Sequence, residues 1–483
     1  MVTRDPTINS GGDNTGPIVA LTALALVLRV VGINQDLWLD EIGSVVDLFR
    51  LQPFEAAGTF TSANHHLLNS FLGSISIRIF DESPWSARLP ALLFGTATIP
   101  AFFALAVTVA KRREALFATL FLTLSYHHVW FSQNARGYTA MIFFTVLSTL
   151  FLIRLLGATP EQARRPWLGF IVCGALGTLS LLNYVFVLAA QYLAALYVIR
   201  GTRCWSRFRR LISSGVLVVA LALLGYAAAL PEMIAYFSSG GTEMGWVNPL
   251  EFIQVLVRGL GGALPVLALG GALVALGWVC YFKEQPLVAL MLVLPVVFNV
   301  AALGFFEFGA YPRSFLYLLP FGILVLMRGA IVVGEQVRVW FPEWGAKWPL
   351  ESMIPTGFLL GAILLLSYNY GNPKQNYTGS LAYAREQAAP NDVIASVGYL
   401  ASGYREYYGR DLAFPESVEE LRALHGPERR VWLLYSFTRD MRRHLPDIQD
   451  YIEDNLRIER VFPGTLGDGD VYLVVSPAQG DLR

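Results

Sequence analysis

Long apolar runs separated by short polar connections recur from 17 to 370 and dominate the chain. A hydrocarbon core about 30 Å thick takes roughly 20 helical residues to cross. On that scale the runs predict eleven crossings, at 17–33, 86–110, 115–131, 138–156, 167–182, 184–199, 211–230, 262–282, 287–306, 314–334 and 353–370. The block 167–199 is divided at Asn183 because it is too long for one span. No small-residue cleavage site follows the first run, which leads straight into Gln35-Asp36-Leu37-Trp38, so it is expected to stay as an anchor.

One apolar segment does not fit the crossing pattern. Residues 67–80 are short and carry Asn69, serines and Arg78, which predicts an amphipathic helix lying in the membrane surface. Beyond 370 the pattern changes again. Short β-type runs at 392–396, 430–435, 458–462 and 471–475 alternate with helical stretches at 381–388, 401–408, 418–424 and 439–453. That alternation predicts a small α/β domain over 371–483, following a helical membrane domain over 1–370 whose first external loop is 34–85.

Composition agrees with a membrane chain: 54% of residues are hydrophobic and 15% charged, with a mean hydropathy of +0.48. A soluble enzyme is excluded. Lys and Arg number 36, as do Asp and Glu, so no global positive field exists to gather nucleic acid. Cys173, Cys204 and Cys280 have neither disulfide-framework nor metal-ligand spacing. No cofactor is expected, and ligand spacing does not support a divalent metal.

Basic residues set the orientation, because short Lys- and Arg-rich connections resist translocation. With the N-terminus cytoplasmic, one set of connections holds sixteen, among them Lys111-Arg112-Arg113, Arg203 and Arg328. The other holds six: Arg50, Arg78, Arg88, Arg136, Arg258 and Arg313. The loop 34–85 and the tail after 370 are then outside. Counting 67–80 as a crossing would put Lys111-Arg112-Arg113 outside, which is why it is kept at the surface.

The candidate chemistry lies on that external side. WLDEIGSV places Asp40 and Glu41 just after the first crossing. Adjacent carboxylates can serve as a helix N-terminal charge pair; alternatively one is a general base toward an acceptor and the other orients it. SANHHLLN brings His65 and His66 to the start of 67–80, without a third ligand for a metal but with hydrogen-bonding capacity for a phosphate. YHHVWFSQNARGYTA puts Gln133, Asn134, Arg136 and Tyr138 at one crossing's outer end, and FEFGAYPRSFLYLLP does the same for Glu307, Tyr311 and Arg313. Arg88 adds a further cation. Each arginine can be a headgroup anchor, and together they can hold a phosphate bidentately. GYREYYG, from Gly403 to Gly409, offers tyrosines to stack on sugars or to bury as a helix face.

In order, LDE, NHHLLN, WSARLPALLFGTATIP, FSQNARGYTA and YPRSFLYLLP resemble segments of the GT-C class of membrane glycosyltransferases. Within that class the resemblance is to the protein O-mannosyltransferases, the lipid A aminoarabinose transferases and their bacterial relatives. It implies a GT-C membrane domain with an extracytoplasmic C-terminal domain, in the cell membrane of a bacterium. It also implies transfer of a sugar from a polyprenyl-phosphate carrier to an external protein, lipid or glycan, with inversion at the anomeric carbon. Asp40 resembles the family's catalytic acidic residue, with Glu41 beside it. Arg88, Gln133, Arg136 and Arg313 fall in runs resembling segments near the donor phosphate. His66-Leu67 stands where two prolines are usual, a departure that bears on the helix beginning there.

Two other classes remain open to the sequence. A flippase or transporter of lipid-linked sugars would carry polar residues through its spans, which here hold almost no acidic ones. A scaffold would make the external carboxylates and arginines dispensable.

Overall fold

The computed structural model describes residues 14–62, 65–200, 205–239, 264–306, 311–426 and 429–477. Arg203, Cys204, Arg258 and Glu307, and the first residues of the run predicted at 262–282, lie outside them. Helices form in the predicted crossing regions, and seven among the described residues are long and apolar enough to cross a membrane: Pro84–Val109, Tyr138–Gly157, Trp205–Tyr226, Leu267–Glu284, Pro286–Phe305, Pro312–Trp340 and Leu350–Gly371. The run predicted at 115–131 is instead two helices, Arg112–Leu124 and Tyr126–Ser132. The break falls at Ser125, whose extended backbone ends the first helix and whose hydroxyl accepts the His128 N–H, starting the second.

By internal packing the chain divides into two units, 1–31 with 52–73 and 88–366, and 32–51 with 74–87 and 367–483. In the first, Tyr138–Gly157 packs along Arg164–Ser180, and Leu264–Glu284 along Leu319–Trp340. The latter pair crosses at Gly277 and Gly329, where a Cβ on either would overlap the backbone of the other helix, at Val325 or Leu273. Lipid offers no hydrophobic drive between helices, so such small-residue contacts supply packing by close approach. Buried polar side chains link other helices without charge: Gln191 donates to Ser148 and Thr149 at 2.7 and 2.9 Å. Arg328, largely buried, reaches Glu114 at 3.4 Å and Glu284 at 2.5 Å, and the Tyr281 hydroxyl donates to Glu114.

The second unit holds a four-stranded sheet of β1 (Val393–Ser396), β2 (Val431–Tyr435), β3 (Arg457–Phe462) and β4 (Val471–Val475), in the order β1-β2-β4-β3. Only β1 and β2 are parallel. Every residue of the central β2 is buried, and Val431, Leu433 and Val474 pack with Leu421, Met441, Ile448 and Ile452 from the helices. The stretch predicted helical at 439–453 is broken at Leu445-Pro446 into Thr438–His444 and Pro446–Asn455, since proline cannot donate to the preceding turn. Two earlier segments belong here. Residues 32–51 bury Leu37, Trp38, Ile42, Val45, Leu48 and Phe49. Residues 74–87 are fastened to them by Ser74 on the Leu51 carbonyl, by Arg78 on the Phe49 and Arg50 carbonyls, and by the Arg50–Glu82 ion pair.

Candidate functional site

In the first unit, the candidate residues gather around the start of Leu67–Phe80. Leu67–Phe80 is a helix with the predicted limits, and it buries Asn69, Ser70, Ser74 and Ser76 while exposing Ile79 and Phe80. Asn69 donates to the Ala135 carbonyl at 3.0 Å, joining this helix to the NARGYT turn. At that junction Gly137 donates its N–H to His66 Nδ1 at 2.7 Å. A side chain at 137 would strike the Ser180 carbonyl and His66, so only glycine allows the approach.

That bond fixes the histidine's chemistry. With Nδ1 used as acceptor, the neutral imidazole carries its proton on Nε2. His66 Nε2 lies 3.1 Å from the Arg136 guanidinium, whose nitrogens only donate. Both side chains have less than 5% of their surface exposed, so this 3.1 Å contact is made out of water. Burial first, then Arg136, His65 and Arg313, hold His66 well below its ordinary value, so its ring stays neutral. An anionic oxygen seated beside both nitrogens would accept from each, a charge-assisted arrangement. Tyr138 stands edge-on to His66 with ring centres 5.0 Å apart and 6.0 Å from the Arg136 guanidinium carbon, so it packs the pair. Arg313, in the 3-10 turn Pro312–Leu318, lies over Tyr311 and adds to the positive field at His66.

The other predicted residues divide. His65 donates Nε2–H to the Ala56 carbonyl at 3.1 Å, and burial lowers it to about 4, which makes it a buried loop anchor. Gln133 spends both amide hydrogens on the carbonyls of Arg29 and Val31, at 3.1 and 2.5 Å, and thereby ends the helix Thr15–Val30. Those two bonds engage both hydrogens of the Gln133 amide. Arg88 is fully buried within Pro84–Val109.

In the second unit, Asp40 and Glu41 occupy the first turn of the five-residue helix Leu39–Gly43. Glu41 is fully buried and accepts the Trp38 N–H at 3.3 Å, so its carboxylate caps the helix that carries it. Asp40 is only partly buried, and its carbonyl accepts the Ser44 hydroxyl at 2.8 Å. A π-helical turn, Ser44–Phe49, follows directly and carries Asp47, an exposed carboxylate; sequence reasoning missed it because nothing in SVVDLF announces the turn. Among the described residues no three His, Cys, Asp or Glu side chains converge as a metal-ligand set.

The fold has solved counterparts. The chain is similar to ArnT from Cupriavidus metallidurans bound to undecaprenyl phosphate, with TM-score 0.53 and 14% identity over 97% of this chain and 99% of that one. It is similar to the apo form of the same protein, with TM-score 0.53 and 15% identity over 96% and 98%. It is also similar to an Archaeoglobus fulgidus oligosaccharyltransferase in complex with Zn and sulfate, with TM-score 0.52 and 11% identity over 97% and 74%. Residues 64–227, which include His66, Arg88 and Arg136, match the family described as dolichyl-phosphate-mannose-protein mannosyltransferase. No curated protein matches the chain. The fold is that of the GT-C membrane glycosyltransferases, with a small C-terminal sheet, in a multi-pass integral membrane protein.

Proposed function

We propose that the protein is a glycosyltransferase that moves a sugar from a polyprenyl-phosphate carrier to an acceptor outside the membrane, with inversion. The observation that carries this reading is the buried pair of His66 Nε2 and the Arg136 guanidinium, 3.1 Å apart and held by the Gly137 turn within a GT-C fold. Asp40 takes the proton from the acceptor hydroxyl or amine. The acceptor's electron pair attacks the anomeric carbon as the bond from that carbon to the phosphate oxygen breaks. The leaving electron pair collects on the phosphate, where the Arg136 charge and the neutral His66 N–H stabilise it.

The experiment is transfer of radiolabelled sugar from a polyprenyl-phosphate donor by the purified protein in lipid vesicles. Label appearing on acceptor, with release of polyprenyl phosphate, supports the reading. Donor moved across the bilayer but left intact assigns the protein to the transporter class instead.

A further inference from the structure

A five-residue helix is too short to hold its own shape, and the amides at its N-terminus have no partners within it. Around Asp40 those amides are satisfied one after another by side chains. The Leu37 N–H donates to the Tyr408 hydroxyl at 2.6 Å, the Trp38 N–H to Glu41, and the Leu39 N–H to Gln375 Oε1 at 3.0 Å. One residue earlier, the Asp36 carboxylate accepts the Thr378 N–H at 2.7 Å and its hydroxyl at 3.0 Å. Leu37 and Gln375 are fully buried, which limits the access of water to the bonds they make. Tyr408 itself is stacked on the buried Tyr377 ring, 5.0 Å between centres, and Gln375 is steadied by Ser436 at 3.5 Å.

We infer that Gln375 and Tyr408 are positioning residues for Asp40: the C-terminal part of the chain sets the direction of the base carboxylate by holding the two amides that precede it. The inference rests on the reading of Asp40 as the base. It gives the tyrosine-rich turn a role other than sugar stacking. Misplacing a reacting group by about 1 Å can cost on the order of a hundredfold in rate, so loss of either acceptor is read in turnover before it is read in folding.

The test uses the full-length protein in vesicles. Tyr408→Phe keeps the ring on Tyr377 and removes the hydroxyl that accepts the Leu37 N–H and donates to the Leu37 carbonyl; Gln375→Leu removes the other acceptor, and Gln375→Glu retains an acceptor oxygen. Tyr408→Phe and Gln375→Leu are expected to lower kcat about tenfold or more, with donor KM within about twofold and a fall in Tm of the size an unsatisfied amide gives, too small to account for the lost turnover at the assay temperature, while Gln375→Glu recovers most of the turnover. Hydrogen exchange over 32–51 should quicken in the first two variants and not in Asp40→Asn. Asp40→Asn inactive beside wild-type kcat in Tyr408→Phe and Gln375→Leu overturns the positioning role and leaves the base assignment standing. Asp40→Asn at wild-type turnover overturns the base assignment, and the catalytic meaning of the contacts with it. A fall in kcat that follows Tm and is not restored by Gln375→Glu also overturns the inference.

Discussion

His66 Nδ1 accepts the backbone N–H of Gly137 at 2.7 Å, and this one bond decides which face of the imidazole can act on a ligand. It leaves Nε2–H directed toward Arg136. His66→Asn retains an acceptor near the backbone but loses the far donor. A hydrogen bond to a charged group contributes about 1.5–3 kcal/mol, so the affinity for polyprenyl phosphate should fall about tenfold or more while the protein still folds. Binding titration with undecaprenyl phosphate checks this; unchanged affinity would return His66 to a structural role.

The same histidines make the fold acid-sensitive. His65 is lowered to about 4 and His66 is held well below its ordinary value, against about 6.5 in the unfolded chain. Between those values the unfolded state binds protons that the native state does not, so stability falls as pH drops below about 6.5, by about 1.4 kcal/mol per pH unit for each group. Melting in detergent at pH 7.5, 6 and 5 should show Tm nearly flat near neutrality and then dropping. His65→Gln, which keeps a donor for the Ala56 carbonyl, should lessen the drop.

Arg328 serves two carboxylates, Glu114 and Glu284. Removing one partner of a buried pair typically costs about 3–5 kcal/mol because the charge left behind is unpaired. Arg328→Ala should therefore melt well below wild type. The double variant Arg328→Met, Glu114→Gln should recover part of the loss, and equal melting temperatures for wild type and Arg328→Ala would show that the pair is solvated.

Close approach at Gly329 and Gly277 leaves no room for a methyl group against opposing backbone. Gly329→Ala forces two helices apart, and a cost of about 1–3 kcal/mol is expected from overpacking. Gly357, with open space around its Cβ position, is the control, and Gly357→Ala should melt as the wild type does.

What local pattern could show was largely visible along the chain. The apolar runs located the helices, the short β-type runs located all four strands within a residue or so, and a short apolar run carrying Asn69, serines and Arg78 gave Leu67–Phe80. Arg136 and His66 were legible as chemistry, but their pairing was not, since it depends on Gly137 folding back across 71 positions. Gln375 and Tyr408 lay beyond reach for the same reason: their partners Leu39 and Leu37 are 336 and 371 positions away, and a buried amide leaves no mark in sequence of who will satisfy it. That the Gln133 amide meets the end of the first helix was hidden too, since its partners Arg29 and Val31 lie 104 and 102 positions away.

The most direct test compares wild type with Asp40→Asn in one vesicle preparation, following labelled sugar transfer and binding of the polyprenyl-phosphate donor together. Loss of transfer with donor binding and melting temperature retained is the predicted result; transfer by Asp40→Asn at the wild-type rate, or no binding of the donor by wild type, would contradict the account.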